Sequence, residues 1–406
     1  MGMGVRALAV CGIVCACANG AAAQGKAMTL AEVLARARTQ APQIVSARLA
    51  VEEARTRLIG ATLRQQTNPE LDAWAGNRSN PTERFTDYEF GLTQTFEPGA
   101  RRSARVAGAN AAIAQSTATV DEATRTALYQ AAGAFYRAVY ATERIKLLDA
   151  AFSLATSVYT AADRRYRAGD IAVLDVNIAR ASLARVRADR EGAEAARSSA
   201  LADLRQLLKL EGEIGVDGSL SSPMPADLAA VLRGASQRPE LRILEAAIQE
   251  ADAERALGLS FSKPEYGAGV RYAREEGDQI ILGGLTVKLP MFFSGQEQRA
   301  AGSARGARLR SDLEATKARI DAEVRIAFDT YGRRIAAVRI LEADAIPGLD
   351  ENEQLTTRSF DVGQIGLPDL LLIRREILDT RFQYLDALLE AALARVDLDA
   401  SAALLR

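Results

Sequence analysis

Histidine is absent from this 406-residue sequence, and its only cysteines, Cys11, Cys15 and Cys17, lie close to the first residue. Those two side chains supply most zinc and copper ligands and most nucleophile and general-base pairs, so the bulk of the chain lacks the usual materials of a metal centre or catalytic site. No cofactor and no enzymatic activity is expected. Acidic and basic residues balance at 52 and 51, a net charge of −1, and lack the positive excess of a nucleic-acid-binding domain. The cluster Arg101-Arg102-x-x-Arg105 therefore reads as a local feature, and no nucleic-acid partner is expected. After Gln24 no apolar run approaches the roughly 20 residues of a membrane-spanning helix, so a membrane role requires a β-barrel. Proline is missing between Pro98 and Pro223. Aromatics make up only 5% of a chain that is 48% hydrophobic and rich in Ala, Leu, Arg and Glu, the composition of long helices packed through small residues.

Residues 1–23 read as a signal peptide. Arg6 opens an apolar stretch from Ala7 to Ala18, and Ala21-Ala22-Ala23 precede Gln24 in the small-residue pattern of a cleavage site. Val14-Cys15-Ala16-Cys17 offers a second reading, a loose lipobox with Cys17 as an acylated terminus. In the first reading the mature chain has no thiol and forms no disulfide.

The rest is written twice. Tyr166-Arg167-Ala168-Gly169, with Asp175 six residues on, returns as Phe360-Asp361-Val362-Gly363 with Asp369, 194 residues later. Leu30-Ala31-x-Val33-Leu34 with Pro42 returns as Leu228-Ala229-x-Val231-Leu232 with Pro239, Pro69-Glu70 as Pro264-Glu265, and Gly99 as Gly295. A period this long marks a duplicated half. The halves run over 24–222 and 223–406. In the first, the proline-free region forms a long helical hairpin over about 99–210 with its turn at Gly169; a continuous helix over residues 100–166 is about 100 Å long. The second repeats the plan over about 296–406, broken at Pro347-Gly348 and turning at Gly363, with Pro368 in the first turn of the return helix. Leu128, Ala131, Phe135, Val139 and Ile145 mark a helix-packing stripe.

Two windows, about 69–97 and 264–291, alternate with a period of two. Tyr88, Phe90, Leu92 and Phe96 alternate with Asp87, Glu89, Thr93 and Thr95; Tyr266, Ala268, Val270 and Tyr272 alternate with Glu265, Gly267, Gly269 and Arg271. The segments 77–84 and 275–278 read as hairpin loops. One apolar and one polar face suit strands of an outer-membrane barrel, with Trp74, Tyr88, Tyr266 and Tyr272 as interfacial aromatics. Four strands cannot close a channel, so on this reading several chains pool their strands. A soluble sheet capping a bundle, or a coiled-coil scaffold, is the other reading.

The two homologous halves, the strand hairpins before long helices and the duplicated aromatic-x-x-Gly turn with its following Asp together resemble the TolC family of outer-membrane efflux channels, over residues 28–405. The stretches Asn68-Pro69-Glu70-Leu71 and Gln94-Thr95-Phe96-Glu97-Pro98-Gly99-Ala100-Arg101-Arg102-Ser103-Ala104-Arg105 are similar to the strand-to-helix passage of CzcC-like members that serve heavy-metal cation pumps. The usual Glu-Leu-Gly-Gly-Lys-Arg is replaced here by Glu-Pro-Gly-Ala-Arg-Arg. The resemblance implies a mainly α fold with a small β part. It implies a homotrimer whose helical hairpins form an α-barrel tunnel across the periplasm and whose strands, four per chain, form a shared twelve-stranded barrel in outer-membrane lipid. It also implies an adaptor (membrane fusion) protein and an inner-membrane pump of the resistance-nodulation-division type as partners. Tyr166, Gly169, Phe360 and Gly363 would form the periplasmic tip where the adaptor docks, and Asp369 and Asp175 are candidates for a pore constriction. Asp369 reads as a ring of carboxylates across three copies and Asp175 as a helix-start residue. Family members often carry Arg two residues after the second glycine; this chain has Ile365. A multidrug or type I secretion duct remains the alternative export role.

Overall fold

The computed structural model describes residues 27–79 and 81–405, so the signal-peptide and lipobox readings lie outside the described residues. Two passes through one element order make up the chain. The first pass contains β1 (Ala27–Met28), α1 (Leu30–Gln40), α2 (Pro42–Thr62), β2 (Glu70–Ser79), β3 (Arg84–Phe96), α3 (Gly99–Arg167) and α4 (Val173–Leu207). The second contains β4 (Gly215–Val216), α5 (Leu228–Ala235), α6 (Pro239–Ser260), β5 (Glu265–Glu275), β6 (Asp278–Lys288), α7 (Gln296–Ile340), α8 (Leu349–Asp361) and α9 (Leu367–Ser401).

The short helices begin where their sequences provide caps. Thr29 Oγ1 accepts from the Glu32 amide at 3.4 Å, and Glu32 Oε2 accepts from the Thr29 amide at 3.0 Å. At the matching start of α5, the Asp227 carboxylate accepts from Ala229 and Ala230 amides at 3.0 and 3.2 Å. Pro42 and Pro239 occupy the first turns of α2 and α6, where a missing N–H costs nothing.

At 69 residues, α3 is about 100 Å long, and its middle is the spine of the molecule. Leu128, Ala131, Phe135 and Val139 are buried with Val33 and Ala37 of α1, Leu204 of α4 and the adjacent Leu208. Ile145 lies further along in a separate cluster with Leu148 and Ala193. The corresponding helix of the second half is interrupted: Leu341–Ala345 is a π turn and Ile346–Gly348 a 3-10 turn before α8 resumes. Pro347 lacks the N–H that would continue the ladder, and the wider turn absorbs the mismatch upstream of it. Among the described residues no helix is long and apolar enough to cross a membrane.

β1 and β4 pair in parallel, tying the start of one half to the start of the other. The remaining strands form one antiparallel sheet in the order β2-β3-β5-β6, in which β3 and β5 join the halves with Phe96 opposite Tyr266 and Tyr88 opposite Arg274. The loops are shorter than the sequence implied. Asn77 to Ser79 belong to β2 and Arg84 to β3, while Glu276 and Gly277 alone turn the second hairpin with φ of 52° and 93°.

Candidate functional site

The two repeated turns have the same hydrogen-bond pattern. At the end of α3 the Gly169 amide donates to Tyr166 O at 2.9 Å and the Asp170 amide to Arg165 O at 2.9 Å; at the end of α8 the Gly363 amide donates to Phe360 O at 3.1 Å and the Gln364 amide to Ser359 O at 2.8 Å. Each is a Schellman cap with its glycine in the left-handed region, φ 87° at Gly169 and 76° at Gly363. The aspartate comes six residues after the glycine because a short extended link must precede the return helix.

The turns meet in one cluster of Val158, Ala162, Val176, Ala179, Leu367 and Leu370, with Phe360 and Ile365 packed against it. Between them lies a crevice lined by Arg165, Asp175, Phe360, Gly363 and Leu367, among others. Phe360 is half-buried there beneath the Arg165 guanidinium, 5.9 Å from the ring centroid, whereas Tyr166 is exposed. The repeated aromatics thus share a backbone role and differ in side-chain environment.

The two aspartates sit in different surroundings. Asp369 is exposed, and its Oδ2 accepts from the Gly366 amide at 3.3 Å, so it caps α9 as well as presenting charge. Asp175 is half-buried in the crevice, in the first turn of α4, whose N-cap makes no side-chain hydrogen bond.

At the other end of the long helices the strand register sorts every side chain of the sheet onto one of two faces. Leu71, Ala73 and Ala75 of β2 stand opposite Leu92, Phe90 and Tyr88 of β3; these adjoin Val270 and Tyr272 of β5, and then Leu285 and Ile281 of β6 lie on the same side. This apolar face is open: Leu285 is 88% exposed and Ile281 73%. The opposite face has the ion pairs Arg271–Glu89 at 2.8 Å and Arg78–Asp87 at 2.9 Å. Trp74 sits opposite Glu89 on that charged face, which removes it from the set of interfacial aromatics; Tyr88, Tyr266 and Tyr272 are on the apolar face.

The passage from β3 to α3 holds a buried charge cluster that the sequence reading left as a local basic patch. Arg105 pairs with Glu97, Arg101 pairs with Glu265 across the halves and stacks 4.3 Å from the Phe261 ring centroid, and the Arg102 Nε donates to Thr62 O at 3.0 Å. The signal was the i, i+4, i+8 spacing of Glu97, Arg101 and Arg105, which puts all three on one side of a helix start.

This geometry, long helical hairpins ending in paired glycine turns and a four-stranded sheet with one bare apolar face, has known relatives. Residues 33–208 match the family model described as outer membrane efflux protein. The match covers most of the first half of the chain. Outer membrane efflux proteins are the TolC family of channels, not enzymes, and they work in tripartite systems at the outer membrane, reaching into the periplasm. Among curated protein sequences, none matches this chain. Solved structures match nearly throughout. CusC is 16% identical with a TM-score of 0.75, covering 92% of this chain and 91% of that one. The open-state MtrE channel of Neisseria gonorrhoeae is 19% identical, TM-score 0.68, covering 92% and 88%. The outer membrane protein VceC of Vibrio cholerae is 15% identical, TM-score 0.72, covering 92% and 95%. These likenesses establish the efflux-protein fold for both halves, including the second, which the family model does not reach.

Proposed function

We propose that three copies of this chain close into one channel, with a twelve-stranded barrel in the outer membrane and a helical tunnel across the periplasm, and that it conducts heavy-metal cations from an inner-membrane pump of the resistance-nodulation-division type through an adaptor protein. The observation that carries the channel is the sheet: β2 and β6 are open edges of a surface whose outward face is apolar and bare. An isolated edge of that kind leaves a row of backbone N–H and C=O groups unpaired, and in lipid only ring closure satisfies them. Four strands enclose no lumen, whereas three copies give twelve.

The tip turns at Gly169 and Gly363, with Tyr166 and Phe360, are the proposed adaptor-docking end. The exposed Asp369 at the second turn supplies one carboxylate per copy to the mouth, a charge ring that draws cations. The strand-to-helix passage from Gln94 to Arg105 favours the metal branch. An exit duct needs weak, releasable contacts, so a carboxylate ring suits cation passage without high-affinity ligands.

The substrate is tested by growth of a deletion strain and its complemented control across zinc, cadmium, cobalt, nickel, copper and a panel of lipophilic drugs. Sensitivity confined to divalent metals is the expected result. Drug sensitivity with unchanged metal tolerance moves the channel to multidrug export.

A further inference from the structure

Trp74 is the single tryptophan of the chain, and the strand register turns it away from the apolar face. It stands in the middle of β2, 70% exposed, with no hydrogen bond, ring contact or stacked guanidinium among the described residues. A closed barrel with its apolar face outward puts this indole in the lumen, where it neither packs in a core nor anchors the chain in lipid.

Two carboxylates precede it on the same side. Residues two apart on a strand point the same way, so Glu70, Asp72 and Trp74 form a line about 13 Å long, from the helix-side end of β2 to its middle. Thr93, Gly91 and Glu89 of β3 stand opposite them. The nearby cations of this face are already committed: Arg271 holds Glu89 at 2.8 Å, and Arg78 holds Asp87 at 2.9 Å and Glu276 at 2.9 Å. Lys288 lies three strands away on β6. Glu70 and Asp72 are exposed and have no ion-pair partner among the described residues. Gly91 keeps this part of the wall low. Its missing Cβ would stand 3.7 Å from Asp72 Oδ2, and it is the diagonal neighbour of Trp74 across the two strands, so carboxylate and indole border one open space.

We propose that Trp74 and Asp72, with Glu70 on the approach from the tunnel, form a weak binding ledge inside the barrel for organic cations that carry a quaternary ammonium or pyridinium nitrogen. The indole face attracts such a cation electrostatically and covers part of its apolar body, while the unpaired carboxylates supply the counter-charge. A metal ion that keeps its water shell gains nothing from the indole, so the ledge differs in chemistry from the carboxylates at Asp369. Weak holding suits a passage that its cargo has to leave. The ledge rests on the channel reading, which makes this face the lumen.

Because Trp74 is the only tryptophan, its fluorescence reports this place alone. The full chain is reconstituted in phospholipid vesicles and titrated with N-methylpyridinium, neutral acrylamide and iodide as quenchers. The expected result is saturable quenching by N-methylpyridinium that exceeds that by acrylamide, with iodide the weakest. Glu70→Gln with Asp72→Asn is expected to weaken the apparent affinity for the cation about fivefold and to leave acrylamide quenching unchanged. Equal, non-saturating quenching by all three in the wild-type chain, or a cation affinity unchanged in the double variant, overturns the ledge. Quenching by phospholipid brominated along its acyl chains puts the indole in lipid and overturns it as well. Ion conductance of the same samples in planar bilayers decides the channel separately. Samples that conduct without the cation preference at Trp74 lose the ledge alone, and trimeric samples that never conduct lose the channel and the ledge with it.

Discussion

At Gly169 and Gly363 the space around the missing Cβ is open, with no heavy atom within 4 Å, so a side chain there meets backbone strain alone. Gly169→Ala and Gly363→Ala are each expected to lower stability by about 1–2 kcal/mol, read as a drop in unfolding temperature. Gly295 is a different case. It also has a positive φ, 75°, but a Cβ there falls 2.1 Å from Gly258 O, so Gly295→Ala has to move α6 as well. A loss of about 3 kcal/mol is expected in the same assay, clearly larger than at the turns. Asp369→Asn separates the two roles of that residue, since the amide oxygen still accepts from Gly366 while the charge is gone. Weakened cation preference in reconstituted channels with unchanged unfolding temperature is the expected outcome. Loss of stability with unchanged selectivity assigns Asp369 to capping only. The glycines and aspartates at these turns were legible because a left-handed turn accepts few residue types. The divergent surroundings of Tyr166 and Phe360 were not legible, because they depend on how the two hairpins lie against each other.

Among the elements, the junction of β3 with α3 depends on few charges. Glu97 is 10% exposed and pairs with Arg105, with Arg101 3.8 Å away. Glu97→Gln leaves the largely buried Arg105 without its carboxylate partner and Arg101 with Glu265 alone, and is expected to cost about 3 kcal/mol, measured by chemical denaturation in detergent. At the α6–α7 joint, burial raises the Glu323 carboxyl, but hydrogen bonds from Arg238 and Arg319 outweigh it and hold the group below its usual 4.5. A depressed carboxylate contributes stability above its unfolded value and loses it as pH falls through the folded one. Stability should therefore decline on acidification from about pH 4.5 downward, and Glu323→Gln should flatten that decline in a pH series of unfolding temperatures. The continuous α3 was legible because no proline falls between Pro98 and the turn at Gly169. The π turn at Leu341–Ala345 was not, since a change of hydrogen-bond register has no compositional mark. Trp74 fell on the charged face for a related reason: a one-residue change in hairpin register moves every side chain of a strand to the other side, and loop composition alone does not fix that register.

For the whole molecule, the channel proposed above makes the sheet, with its apolar outer face and open edges, one segment of a ring. Once that ring sits in lipid, carbonate should fail to strip the protein from membranes and detergent should be needed, whereas a peripheral scaffold washes off. The internal duplication was visible in the sequence, and with it the architecture of each half. The most direct measurement is single-channel recording of the detergent-extracted protein in planar lipid bilayers. Discrete conductance steps with a cation preference, from material of trimeric mass, are what this account predicts. Trimeric material that inserts into the bilayer and conducts no ions would contradict it.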